Sequence, residues 1–153
     1  MTSPASSASL TKTAAALGHL LRRTRRPIVE LGQILYLAEK THLHRWGRLI
    51  TGATYLASPN GPCLHVWPDT SAISSVSSDE LSVSDLTALD EALASVTGLS
   101  ADKLGARTKD AAWRHCRKGV PDDKFVPLPV EAMAHGSPRQ AELIAHLKDP
   151  HPG

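Results

Sequence analysis

Apolar residues return at three- and four-residue spacings over several stretches of the chain, and that period predicts helices. Ala14, Leu17, Leu20 and Leu21 form the first such stripe, which predicts a helix over residues 13–25. Arg22 and Arg23 fall near its C-terminal end, where the helix dipole favours cations. Pro27 then suits the opening of a longer helix through Trp46, with Leu31, Ile34, Leu35 and Ala38 on one face. Gly47 can adopt the left-handed geometry that ends a helix. Beyond it the helical period is lost. Ile50, Tyr55 and Leu56, set among Gly52, Pro59, Asn60 and Gly61, predict a short β-arm or hairpin at residues 50–56. The Asn60-Gly61-Pro62 corner turns the chain, and Pro62 is expected to stop further ladder bonding.

Residues 71–79 are serine-rich with only Ile73 and Val76 apolar, which predicts a loop or a loosely held strand. The next helix carries the sharpest local signals. Ser82 is placed to cap it and Asp85 to return the capping-box bond, while Leu81 and Leu86 have the spacing of a hydrophobic staple. Leu86, Leu89, Leu93 and Val96 make its apolar stripe, and Gly98 ends it. Short helices are expected at 101–106, after Ser100, and at 111–118, capped by Asp110. Residues 125–129 should be extended because each residue before a proline avoids helical geometry, and a last helix should run to about Lys148. The fold class read from this pattern is mainly α: a single compact helical domain with a small β-arm after the second helix. Residues 1–12 read as a disordered leader, 13–148 as the domain and 149–153 as a frayed tail. The expected core is Leu17, Leu21, Leu35, Ala38, Leu89, Leu93 and Trp113.

The order of motifs in the central stretch adds a family. A helix bearing Tyr36-Leu37-Ala38, then Trp46-Gly47-Arg48, Ile50-Thr51-Gly52, Tyr55-Leu56-Ala57 and the Asn60-Gly61-Pro62 corner resembles the Panacea domain of SocA-like antitoxins. The resemblance extends over residues 13–118, through the acidic helix and the Ala112-Trp113 pair. Two departures accompany it. The aromatic-rich helix that usually follows the Gly-Pro corner is expected to be missing, since Pro68 arrives within about one turn. Thr108 is followed by Lys109 where relatives carry histidine, so no role of that histidine transfers.

The resemblance implies an antitoxin of a bacterial or phage toxin–antitoxin pair. It would neutralise a cognate protein toxin by direct binding, in some relatives also delivering it to a Clp-type protease. The parts most like the family place the partner-binding residues at Arg45, Arg48, Tyr55, Asn60, Gly61 and Pro62, a set rich in the residue types that dominate interface energy. A plainer role is open for Arg48 and Asn60, that of fixing the arm through internal hydrogen bonds. A DNA-binding transcriptional regulator, or a phage-derived interaction module, is the alternative.

Charge sharpens that alternative. The net is only +2 over 153 residues, but its distribution is uneven. Seven cations from Arg22 to Arg48 face two carboxylates in the same stretch, whereas residues 79–102 carry acids alone. The two stretches either attract each other within the fold or leave a basic face for an acidic partner or nucleic acid. Arg22 to Arg26 could contact phosphates, yet no helix carries evident base-reading side chains.

Candidate chemistry changes little. Cys63 and Cys116 lack the paired spacing of a zinc site and read as small buried thiols in a reducing compartment. His42 and His44 point to different helix faces and are expected at solvent or in capping roles; His19, His135, His146 and His151 are expected on the surface. Asp90 and Glu91 diverge around their helix and form no acid–base pair. There is no phosphate loop and no nucleophile beside a base, so no enzyme, cofactor or metal is expected. With no apolar run of membrane length, the expected location is the cytoplasm.

Overall fold

A computed structural model of the chain describes residues 7–135, 137 and 139–148. Helix α1 spans Ser7–Leu21 and α2 spans Ile28–Trp46. Strands β1 (Tyr55–Ser58) and β2 (Gly61–Leu64) follow, then α3 (Thr70–Ser75) and a 3₁₀ turn at Ser78–Glu80. Helices α4 (Val83–Ser95), α5 (Ala101–Thr108) and α6 (Ala111–Cys116) come next, then β3 (Val126–Leu128), α7 (Val130–Met133) and α8 (Gln140–Lys148). The chain is therefore mainly α with a small antiparallel sheet ordered β2-β1-β3.

α2 is the axis of the fold. Its Leu31, Ile34, Leu35, Tyr36 and Ala38 are fully buried, and it packs against α1, α4 and α5 and against β2. Gly47 ends it at φ 80° and returns its N–H to the Leu43 carbonyl at 2.8 Å, the bond expected of a left-handed cap. Leu17 of α1 and Leu89 of α4 meet α2 in the common core, with Leu93 and Trp113 partly buried around it.

Local signals located the start of α4, although the helix ends at Ser95, ahead of Gly98. Ser82 Oγ accepts from Asp85 N at 3.1 Å, Asp85 Oδ2 accepts from Ser82 N at 2.9 Å, and Leu81 is buried before the cap. Asp110 caps α6 as expected, through Oδ1 to Trp113 N at 2.9 Å. Its other oxygen takes Tyr36 OH at 2.9 Å and Lys40 Nζ at 2.8 Å, which fastens α6 to α2.

Several expectations are corrected. α1 begins at Ser7, so residues 7–12 of the expected leader are helical, and residues 1–6 and 149–153 lie outside the described residues. α1 also stops at Leu21, whose side chain is 42% exposed and so lies outside the core. The strand is displaced to Tyr55–Ser58, because Ile50 and Thr51 spend their N–H groups on the Glu39 carboxylate. Pro62 does not end pairing; it sits in β2 opposite Ala57. β2 is an edge strand, where alternate N–H groups point away from the neighbour and a proline is tolerated. The serine-rich stretch is not a loop: α3 forms there and buries Ile73 against α1. The extended segment after Phe125 becomes β3, paired with β1 through Tyr55↔Leu128 and Ala57↔Val126.

Candidate interaction surface

The basic and acidic stretches of the sequence meet inside the fold. Arg45 Nη1 pairs with Glu91 Oε1 at 3.1 Å, and Arg48 reaches Asp85 Oδ1 at 3.4 Å and Ser82 Oγ at 3.3 Å. On another face of α4, Asp90 receives His19 Nε2 at 2.7 Å and lies 3.6 Å from Arg23. Arg26 pairs with Glu30 and donates to the Val96 and Leu99 carbonyls at 2.8 and 2.7 Å. That guanidinium completes the C-terminal end of α4, where unpaired carbonyls and the helix dipole both attract a cation. Most of the expected basic face is thus consumed internally.

Two histidines expected at the surface are buried here. His19 is held by Asp90, and His42 is fully enclosed. His42 Nδ1 donates to the Arg48 carbonyl at 2.8 Å, leaving Nε2 to Ser84 Oγ at 2.9 Å and Asp85 Oδ1 at 3.2 Å. A serine, a histidine and an aspartate are therefore clustered, but in an order that differs from a catalytic relay. Serine and carboxylate share one ring nitrogen, and a backbone carbonyl occupies the other, where a relay needs its carboxylate. The cluster clasps the loop after α2 onto the start of α4.

Glu39 was not singled out by the sequence, yet it organises the arm. Its fully buried carboxylate accepts from Ile50 N at 2.6 Å, Thr51 N at 3.0 Å, Thr51 Oγ1 at 2.6 Å and Tyr55 OH at 3.2 Å. Burial pushes its carboxyl above the ordinary 4.5, while the donors from Thr51, Ile50 and Tyr55 pull it back in part. Burial, then the neighbouring Glu39 charge, raises the Tyr55 phenol in turn. The Tyr55 ring also meets Tyr36 edge to face at 5.4 Å. Both Cys63 and Cys116 are free and half-buried, and burial raises each thiol above its usual 9.0.

The hairpin tip has a different character. Ser58 Oγ donates to the Gly61 carbonyl at 2.6 Å and accepts from Asn60 N at 3.2 Å, which shapes the turn. Gly61 has φ 124°, and a Cβ there would stand 2.8 Å from Thr108 Oγ1, so glycine is required both by conformation and by the approach of α5. Beside the tip lies a groove of about 150 Å³, lined by Val29, Gly32, Asn60, Pro62, Trp67 and Phe125 among others. Val29 is 61%, Phe125 59% and Trp67 38% exposed.

The expected contact residues therefore do not form one surface. Asn60 is exposed at the hairpin tip, with Gly61 and Pro62 buried beneath it. Tyr55 is buried at 3% exposure and bound to Glu39, so its ring supports the arm from inside. Arg45 and Arg48 keep side chains 50% exposed, but at the far end of α2. The rise of α2 separates that end from Gln33, which lines the groove, by about 18 Å. Trp67 and Phe125, the exposed aromatics of this groove, were not singled out by the sequence. The available signal was their isolation as aromatics in polar, proline-bearing stretches.

These features define a helical protein with an apolar groove beside a fixed hairpin. A protein-family model described as antitoxin SocA-like, Panacea domain, matches residues 31–114, more than half of the chain. The chain belongs to the SocA-like Panacea family. No curated protein and no solved structure matches it. Among the described residues no helix is long and apolar enough to cross a membrane.

Proposed function

We propose that this chain is the antitoxin of a bacterial or phage toxin–antitoxin pair and neutralises a cognate protein toxin in the cytoplasm by direct, non-catalytic binding. Family membership supplies the class, and the observation that carries the binding mode is the groove at the hairpin tip. A chain with a single phenylalanine and three tryptophans leaves Phe125 and Trp67 exposed along one depression. Clustered exposed apolar side chains of this kind mark contact sites, and tryptophan is among the commonest anchors. Of the residues expected at the interface, Asn60 lies on this surface. Arg45 and Arg48 are engaged with α4, which for Arg48 supports the plainer, internal role.

The test is co-expression with the product of the adjoining reading frame. Growth arrest by that product alone, relieved by this chain, is the expected result, together with a one-to-one complex of the purified proteins. Relief without a complex would overturn direct binding.

A further inference from the structure

Resting on the antitoxin reading, we infer that the hairpin-tip groove takes an acidic segment of the partner, with an aromatic or aliphatic side chain anchored between Trp67 and Phe125. The apolar half of the argument is the groove itself. Trp67 lies over Gly32, where a Cβ would approach its Cη2 to 2.9 Å, so the missing side chain seats the ring. A seated aromatic loses little freedom on binding and makes an effective anchor.

The charged half comes from the wall beside the hairpin. Lys109 borders Gly61 and sets its ammonium 5.3 Å from the centre of the Trp113 ring; Trp113 in turn donates to the Ser58 carbonyl at 2.8 Å. Arg114 donates to the Lys109 carbonyl at 2.8 Å, and Arg117 binds the Ala57 carbonyl of β1 at 3.0 Å. Lys124 directly precedes Phe125. None of these four cations makes an ion pair among the described residues, in contrast to Arg23, Arg26, Arg45 and Arg48. Of the carboxylates close to these segments in sequence, Asp110 is held by Lys40 and Glu30 by Arg26, while Asp69, Asp122 and Asp123 are exposed. Among the described residues no charged side chain lines the groove. An apolar slot with a cationic, unpaired border is complementary to an apolar residue flanked by acids. A protein segment fits better than nucleic acid, because the slot is narrow and its aromatic rings flank a depression rather than a flat stacking platform.

The experiment uses the full chain and, as probe, the purified product of the adjoining reading frame. Trp67→Ala with Phe125→Ala should weaken the complex about tenfold or more. Lys109→Glu with Arg114→Glu should do the same at about 50 mM salt and differ less from wild type at about 500 mM. Lys109→Gln with Arg114→Gln, which avoids charge reversal, should fall between, and melting curves should show each variant folded. Wild-type affinity in both folded pairs would overturn the inference while leaving the antitoxin reading intact. Absence of growth relief by the wild type removes that reading, and the inference falls with it. Retention of duplex DNA, lost in Lys109→Glu with Arg114→Glu and without a protein complex, would assign the border to nucleic acid. Concentration-dependent self-association, lost in Trp67→Ala with Phe125→Ala, would assign the groove to a second copy of this chain.

Discussion

Tyr55 donates its phenol hydroxyl to the buried carboxylate of Glu39 at 3.2 Å, and so ties the first strand to the central helix. The same carboxylate receives both backbone N–H groups of the turn at Ile50 and Thr51. Four donors on one carboxylate explain why an irregular segment can lie against the core with its backbone groups satisfied.

Glu39→Ala should destabilise the fold by about 2–4 kcal/mol, since it strands buried donors and opens a void. Glu39→Gln should cost much less, because the Thr51 and Tyr55 hydroxyls can turn to accept from the amide. The pH dependence separates the two states of the carboxyl. Its pKa is raised on folding, so the folded chain holds the proton more tightly than the unfolded one. The stabilisation from that proton is complete below the ordinary 4.5 and is lost as pH rises through the folded value. Melting temperatures measured from acid to neutral pH should therefore move in favour of Glu39→Gln relative to wild type. A constant difference across that range would refute the assignment.

Leu89 and Leu21 test the core. Leu89 is fully buried and Leu89→Ala should cost about 2–5 kcal/mol, whereas Leu21→Ala, at 42% exposure, should cost less than about 1 kcal/mol. Urea denaturation of the two variants checks the order; equal losses would place Leu21 back in the core.

Arg48 and Arg45 differ in what they face. Arg48→Glu puts a second negative charge beside Asp85, whose side chain is almost wholly buried, and should cost on the order of 1–2 kcal/mol. Arg45→Glu opposes the exposed Glu91 and should stay within about 0.5–1 kcal/mol of wild type. Thermal melts at low and high salt give the comparison. A large, salt-insensitive loss for Arg45→Glu would contradict it.

Gly61→Ala combines a left-handed backbone with a contact of 2.8 Å to Thr108, and should cost about 1–3 kcal/mol. Thr108→Ser keeps the hydroxyl and leaves the clash, so it should not rescue Gly61→Ala; Thr108→Gly should rescue it in part. Full rescue by Thr108→Gly would show that space alone, and not the backbone angle, selects glycine at 61.

Much was legible in the sequence because it was local. The stripe of α2, the left-handed stop at Gly47, the capping box of α4 and the Asp110 cap each depend on residues within a turn of one another. The order of those motifs also carried the family. Tertiary structure alone decided where the apolar and polar exceptions went. Leu21 obeys the helical period but falls where α1 ends and is left 42% exposed. Ile73 lies in a serine-rich stretch whose helix is set by packing on α1, a contact that local composition does not encode. His19, His42 and Glu39 are polar residues whose burial depends on partners between 6 and 71 positions away. The division of Arg45 and Arg48 from Asn60 has the same origin: residues close in the sequence lie at opposite ends of one helix, because the chain passes back along α2 before it turns. The groove of Val29, Trp67 and Phe125 exists only once three distant segments meet at the hairpin.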